Sequence, residues 1–323
     1  MVIAFVTGGS GYVGRNLIRA LTARGDEVRA LARSATSQAA VTRLGATAVA
    51  GDLDDVAAMT AAMRGADVVH HAAAQTDQRG TRTQFYQGTV AGTEHVLAAA
   101  KAAGVRRVVH VGTEAVLADG KPIVRADETR PRTRKPAGLY PWSKGLAEER
   151  VLAANGADLE TVVIRPRFVW GGDDTSVLPE MIGAVKAGRF GWIGGGHYLT
   201  STCHVANVVE GALLAAGKGK PGEIYFLTDG EPVELRAFVT EMLATQGVDA
   251  GRREVPRWVA RLGAALTGWR KRPLITKAEI GLFGVEVTVD DAKARRELGY
   301  RGAMTRERGL AEMKAAGPIQ PDA

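Results

Sequence analysis

The chain has 323 residues, 46% of them hydrophobic and 24% charged, which suits one large domain with a smaller companion and excludes a disordered or collagen-like chain. Its formal charge of +7 is spread along the sequence, and the densest basic cluster, "KPIVRADETRPRTRKPAG", has no interleaved aromatic residue. A solvated loop is therefore expected there, with no nucleic-acid partner, and the charge serves at most to attract an anionic small molecule. No apolar run nears the roughly 20 residues of a membrane span, the first residues lack a secretory leader, and Cys203 with six scattered histidines gives neither disulfide nor metal motif, so a cytoplasmic protein without metal is expected.

Strand 2–6, helix 12–24 and strand 27–32 open the chain, followed by strand 47–50, helix 54–63, strand 66–71, helix 83–103 and strand 106–111. A helix from Tyr140 and the strand "TVVIRP" continue the rhythm. The strands are continuous β-branched runs, the pattern of a parallel sheet buried on both faces, so the expected class is α/β with a doubly wound parallel sheet. After Pro166 the rhythm loosens into loops and short helices. The expected division is 1–170 for the sheet domain, rejoined by a strand near 222–230, then 171–221 and 231–318 for a smaller, interleaved C-terminal substrate domain, and 319–323 for a frayed tail.

"FVTGGSGYVGRNL", between the first strand and the first helix, places glycines at 8, 11 and 14. Gly8 is free to take backbone angles closed to other residues, Gly11 admits close approach of a pyrophosphate, and Gly14 lets the helix pack on the strand. The unpaired N–H groups of the helix start, around Ser10, Tyr12 and Val13, would face the anion. Further on, "GLYPWSKGLAEERVL" sets Tyr140 and Lys144 four residues apart on one helical face, with Pro141 suited to a first turn. A free phenol has a pKa of about 10, and a neighbouring ammonium would stabilise the phenolate.

With T-G-x-x-G-x-x-G spacing at the first turn and Tyr-x-x-x-Lys downstream, the sequence resembles the extended short-chain dehydrogenase/reductase superfamily, which includes NAD-dependent epimerases and dehydratases. The resemblance covers essentially the whole chain and implies a Rossmann-type sheet binding NAD(H) or NADP(H). It assigns Tyr140 to proton transfer with the substrate oxygen, Lys144 to the nicotinamide ribose, and Thr113, in "VVHVGTEAV", to the partner hydroxyl. It also places Asp52 and Leu53 at the adenine, Ala72, Ala73 and Ala74 beneath the nicotinamide-side ribose and phosphates, Pro166 and Phe168 in the same cleft, and Thr89 where many relatives have asparagine. At the end of the second strand, where NAD-preferring relatives carry an acid, this chain has Ala32 followed by Arg33 and Ser34. An acid would repel a 2′-phosphate whereas Arg33 and Ser34 can bind one, so NADP(H) is expected over NAD(H). Glu114 is expected to cap a turn or face solvent.

"IRPRFVWGG" has Phe168 where nucleotide-sugar epimerases and dehydratases usually have asparagine. The C-terminal half looks closer to the branch of 3β-hydroxysteroid dehydrogenases and dihydroflavonol or β-keto-acid reductases. The expected function is an NADP(H)-dependent oxidoreductase for a bulky hydrophobic ketone or secondary alcohol, with Phe168, Trp170, Leu178, Met181 and Trp192 as candidate pocket residues. The alternatives are a nucleotide-sugar epimerase or dehydratase, and a dinucleotide-sensing protein without turnover. Lys186 and Arg189 lie in the region where relatives bind a nucleotide diphosphate. In 256–272, Trp258, Leu262, Ala265 and Trp269 form a stripe beside Arg257, Arg261 and the run Arg270 to Arg272. The favoured reading is a helix packed on the protein's own core or a partner subunit; the alternative is a helix lying on an anionic membrane surface. Homodimerisation is carried by analogy alone.

Overall fold

The computed structural model describes residues 1–77, 80–267 and 276–319. Seven parallel strands form the main sheet: β1 (Ile3–Thr7), β2 (Glu27–Ala32), β3 (Thr47–Ala50), β4 (Val68–His71), β5 (Arg107–Val111), β6 (Glu160–Pro166) and β7 (Ile224–Leu227), in the spatial order β7-β6-β5-β4-β1-β2-β3. This is the Rossmann-type doubly wound arrangement expected from the sequence. The order reverses between β1 and β4, which opens a crevice at the carboxyl ends of the strands.

Both faces of the sheet are buried, which explains the unbroken apolar strands. Along β1, Ala4 and Val6 join Leu17, Ile18, Val109 and Val208 on one face, while Phe5 joins Met59, Met63, Val96 and Val108 on the other. β7 hydrogen-bonds in parallel to β6, after a segment that includes the helices Val177–Lys186 and Val205–Lys218. A four-stranded sheet of very short strands (Val233–Glu234, Leu199–Thr200, Val287–Val289 and Ile123–Ala126) stands over the carboxyl edge.

Two elements differ from the sequence reading. The stretch after β2 is a helix, Ala35–Arg43, whose N-cap Ser34 accepts a hydrogen bond from Ser37 while Ser37 bonds back. Its weak apolar periodicity hid it. The single helix expected at 83–103 is broken into Arg82–Phe85, a π-helical turn Tyr86–Ala91 and Gly92–Ala102. At the end of that turn Gly92 lies against the loop after β3, where a Cβ would stand 2.6 Å from Leu53 Cδ1.

Histidines pack inside the sheet. His71 sits between Thr7 Oγ1 at 2.7 Å and Thr93 Oγ1 at 2.8 Å, whereas neither ring nitrogen of the buried His70 has a partner among the described residues. Burial lowers the pKa of His70 from 6.5 to about 4 and that of His71 to about 3. The unfolded chain therefore binds protons in this range that the folded chain refuses, so the neutral rings favour the fold above pH 6.5 and stability falls as the pH drops below it. His70→Leu is expected to flatten the loss and to raise Tm at pH 5 by several degrees over the parent; an unchanged or steeper pH dependence of Tm would count against this account.

Candidate active site

The cleft begins at the glycine turn. Gly8 has φ +72°, and a Cβ there would lie 2.7 Å from Ala73 N, pressing on the loop after β4. A Cβ on Gly14 would be 2.1 Å from the Gly8 carbonyl oxygen, so glycine alone fits. Gly11 is the N-cap of the helix Tyr12–Ala23, with no side-chain cap and no acid in the first turn. The helix start is uncapped, with Ser10, Tyr12 and Val13 on the wall of the cleft, an arrangement that suits an anion.

Along one arm lie Arg33, Ser34, Ser37, Asp52 and Leu53. Arg33 is exposed at the end of β2, directly before the N-terminus of Ala35–Arg43, and no carboxylate stands at the strand end. Asp52 is exposed and its Oδ1 accepts the Asp54 N–H at 2.9 Å. Ala72, Ala73 and Ala74 are half-buried along the floor, and Pro166 and Phe168 close the far side. Thr89 departs from expectation. It is buried behind the cleft, where its Oγ1 accepts the Gln75 N–H at 3.0 Å and so fixes the loop rather than a cofactor. The uncapped turn, the glycine contacts that leave no room for side chains and the small residues beneath them suit a dinucleotide.

Tyr140 and Lys144 project from the helix Leu139–Ala153, entered through Gly138 at φ +147°. Thr113 follows β5, and its hydroxyl is within hydrogen-bonding reach of the Tyr140 phenol. Lys144 is buried; its Nζ donates to Val111 O at 2.7 Å and lies 3.4 Å from His110 Nε2. Burial lowers its pKa to about 8, with Glu148 acting in the opposite sense. The expected low-pKa phenol is not found. Desolvation first, and the charge of Glu114 second, push Tyr140 up to about 12, with a Thr113 hydrogen bond acting in the opposite sense, while the Lys144 ammonium is turned toward the end of β5.

Glu114 also departs from its expected place in solvent. It is only 3% exposed, its Oε2 accepts the Thr113 hydroxyl at 2.9 Å, and its Oε1 is 3.1 Å from Nη1 of the equally buried Arg167. Sequence reading missed Arg167 altogether, since nothing local marks a partner so far along the chain.

The whole cleft, from the glycine turn outward, has a volume of about 1650 Å3, and beyond Tyr140 it is bordered by Phe168, Met181, Phe190, Trp192, Val259 and Phe283. Trp170 and Leu178, expected here, belong to the core; Trp170 Nε1 donates to Asp229 Oδ2 at 2.7 Å. Phe168 holds φ +42° while packing edge-on against Phe238 and Phe283. Arg189 borders the cleft and Lys186 does not. The helix Arg257–Thr267 buries Ala260 and Ala264 against Ile280 and leaves Trp258, Leu262 and Leu266 exposed, Trp258 at 68%. Trp269 and Arg270 to Arg272 lie outside the described residues. No described helix is long and apolar enough to cross a membrane, and no cluster of metal-ligating side chains occurs among the described residues.

Comparison with known proteins agrees with this geometry. Residues 5–257 match the model of the 3-beta hydroxysteroid dehydrogenase/isomerase family. The chain is 52% identical over 321 residues, 97% of itself and 96% of the relative, to the 4-hydroxy-2-methyl-3-oxo-4-farnesyl-3,4-dihydroquinoline-1-oxide ketoreductase of Stigmatella aurantiaca. It is 32% identical, over 96% of itself and 99% of the relative, to the decarboxylating sterol-4-alpha-carboxylate 3-dehydrogenase of Dictyostelium discoideum. In fold it is similar to the dTDP-glucose 4,6-dehydratase DesIV of Streptomyces venezuelae, with a TM-score of 0.78 at 24% identity, covering 97% of this chain and 95% of that one. The chain belongs to the 3-beta hydroxysteroid dehydrogenase/isomerase family, within the extended short-chain dehydrogenases, and is an NAD(P)-dependent oxidoreductase.

Proposed function

We propose that the chain is an NADPH-dependent reductase of a bulky hydrophobic ketone, with Tyr140 as the proton donor. The observation that carries this reading is the position of the Tyr140 phenol, beside Thr113 and Glu114 where an apolar-walled cleft meets the glycine turn. When bound, the nicotinamide supplies a hydride to the carbonyl carbon. Tyr140 gives its proton to the carbonyl oxygen, and its raised pKa keeps that proton in place until negative charge develops there. Phe168, Trp192 and Phe283 give the substrate apolar walls and exclude water. The relative at 52% identity is named for a ketone on a farnesylated ring, which supports a large, prenylated or sterol-like substrate.

Arg33, Ser34 and the N-terminus of Ala35–Arg43 together form a basic, donor-rich corner suited to the 2′-phosphate of NADPH. The exposed face of Arg257–Thr267, flanked by Arg257 and Arg261, suits an anionic bilayer from which such a substrate would enter, because Val259, Ala260 and Gly263 of the same helix border the cleft.

Oxidation of NADPH with farnesylated dihydroquinolinones, 3-ketosteroids and 2-alkyl-3-oxoalkanoates is expected to reveal a substrate, and Tyr140→Phe to lower its turnover by about 100-fold or more. Full turnover in that variant, or activity confined to nucleotide sugars, would overturn the reading. Arg33→Ala is expected to weaken NADPH binding by about tenfold or more and to leave NADH unchanged, as for loss of one charge-assisted hydrogen bond. Equal affinity of the parent for both cofactors would refute the preference. The chain is expected to sediment with phosphatidylglycerol vesicles at low salt, and a Trp258→Ser/Leu266→Ser variant to remain in solution; absence of the parent from the pellet would remove the membrane contact.

A further inference from the structure

Thr113 has one proton to give, and the position of Glu114 decides where it goes. The hydroxyl donates to Glu114 Oε2 at 2.9 Å, and its oxygen accepts the Ala115 N–H at 3.2 Å. Glu114 is in turn fixed by Arg167, whose Nη1 is 3.1 Å from Oε1. Arg167 is anchored from the other side: its Nη2 donates to Leu282 O at 2.6 Å and Thr200 Oγ1 at 3.2 Å, and its guanidinium lies 5.7 Å from the centroid of Phe168 and 5.4 Å from that of Phe283. An uncharged, rotating side chain could not hold the Thr113 hydrogen in one direction. A buried carboxylate pinned by a guanidinium can.

We propose that Glu114 is a positioning residue for proton transfer: clamped by Arg167, it takes the Thr113 proton, so that Thr113 withholds its hydrogen from the Tyr140 phenol and the phenol keeps its own proton until the substrate oxygen takes it. A Thr113 hydroxyl turned to the phenol would hold its pKa down, and Glu114 draws that hydrogen away. Glu114 accordingly raises the phenol pKa in addition to desolvation. The charged and titratable groups around this pair are Arg167 from beyond β6, Lys144 from the helix of Tyr140, His110 from β5 and Tyr198 near Arg167. Lys144 is committed to the end of β5, which leaves Glu114 as the charge acting on Tyr140.

The inference rests on Tyr140 as the proton donor, and its test is read on the phenol itself so that the two can fail separately. Tyrosinate absorbance near 295 nm is titrated in the parent and in Glu114→Gln, each with its Tyr140→Phe counterpart subtracted. The parent is expected to show no Tyr140 ionisation up to pH 10.5, and Glu114→Gln to bring it at least tenfold lower in proton affinity, with the basic limb of the pH profile of ketone reduction moving down by a similar factor. Because Glu114→Gln leaves Arg167 buried without its counter-charge, the double variant Glu114→Gln/Arg167→Met is measured alongside; removing both charges commonly preserves a core. The same downward shift is expected there. If Tyr140 titrates as in the parent in a folded Glu114→Gln or double variant, the proposal is overturned, whatever the fate of turnover in Tyr140→Phe.

Discussion

The structure depends on one close approach: the first helix lies so near the first turn that no atom fits between Gly14 and the Gly8 carbonyl oxygen. That contact fixes the start of the helix at the carboxyl end of β1, beside the point where the strand order reverses toward β4. Its free N–H groups therefore look into the crevice. The same turn lies against the main chain of Ala72 and Ala73, which leaves no room for a side chain at Gly8. From there the parallel sheet delivers the remaining parts in order, Thr113 from the end of β5 and Arg167 from the end of β6.

Catalytic chemistry is then set by how groups are removed from water. Lys144 and Tyr140 share a helical face, yet each is bound to a different neighbour, and burial drives their pKa values apart, to about 8 and about 12. A phenol in this state holds its proton. The Glu114–Arg167 pair lies across the junction between the catalytic strand ends and the segments over them, because Arg167 also holds Leu282 and Thr200.

Much of this was legible in the sequence. Short apolar runs marked the seven strands of the main sheet, most clearly the central ones that are buried on both faces, and the spaced glycines with Tyr140 and Lys144 marked the cleft. What was hidden had physical reasons. The helix after Ser34 depends on a capping box of two serines rather than on an apolar stripe. The two- to four-residue strands over the carboxyl edge are too short to show a period. Glu114 was misjudged because its burial depends on Arg167, and Thr89 because resemblance gives a position in a chain and not the direction of a hydroxyl. Spacing placed Lys144 beside Tyr140, but the Val111 carbonyl took its ammonium.

Phe168 shows how one backbone setting can serve two chemistries. Its φ of +42° is a conformation that asparagine adopts readily and a bulky side chain adopts at a cost of roughly 1–3 kcal/mol. The asparagine usual at this position in nucleotide-sugar relatives would thus sit there with little strain, while this chain carries the strain and gains edge contacts with Phe238 and Phe283. The main chain at 168 is a fixed socket. What is plugged into it determines whether that stretch of the cleft wall is polar or apolar.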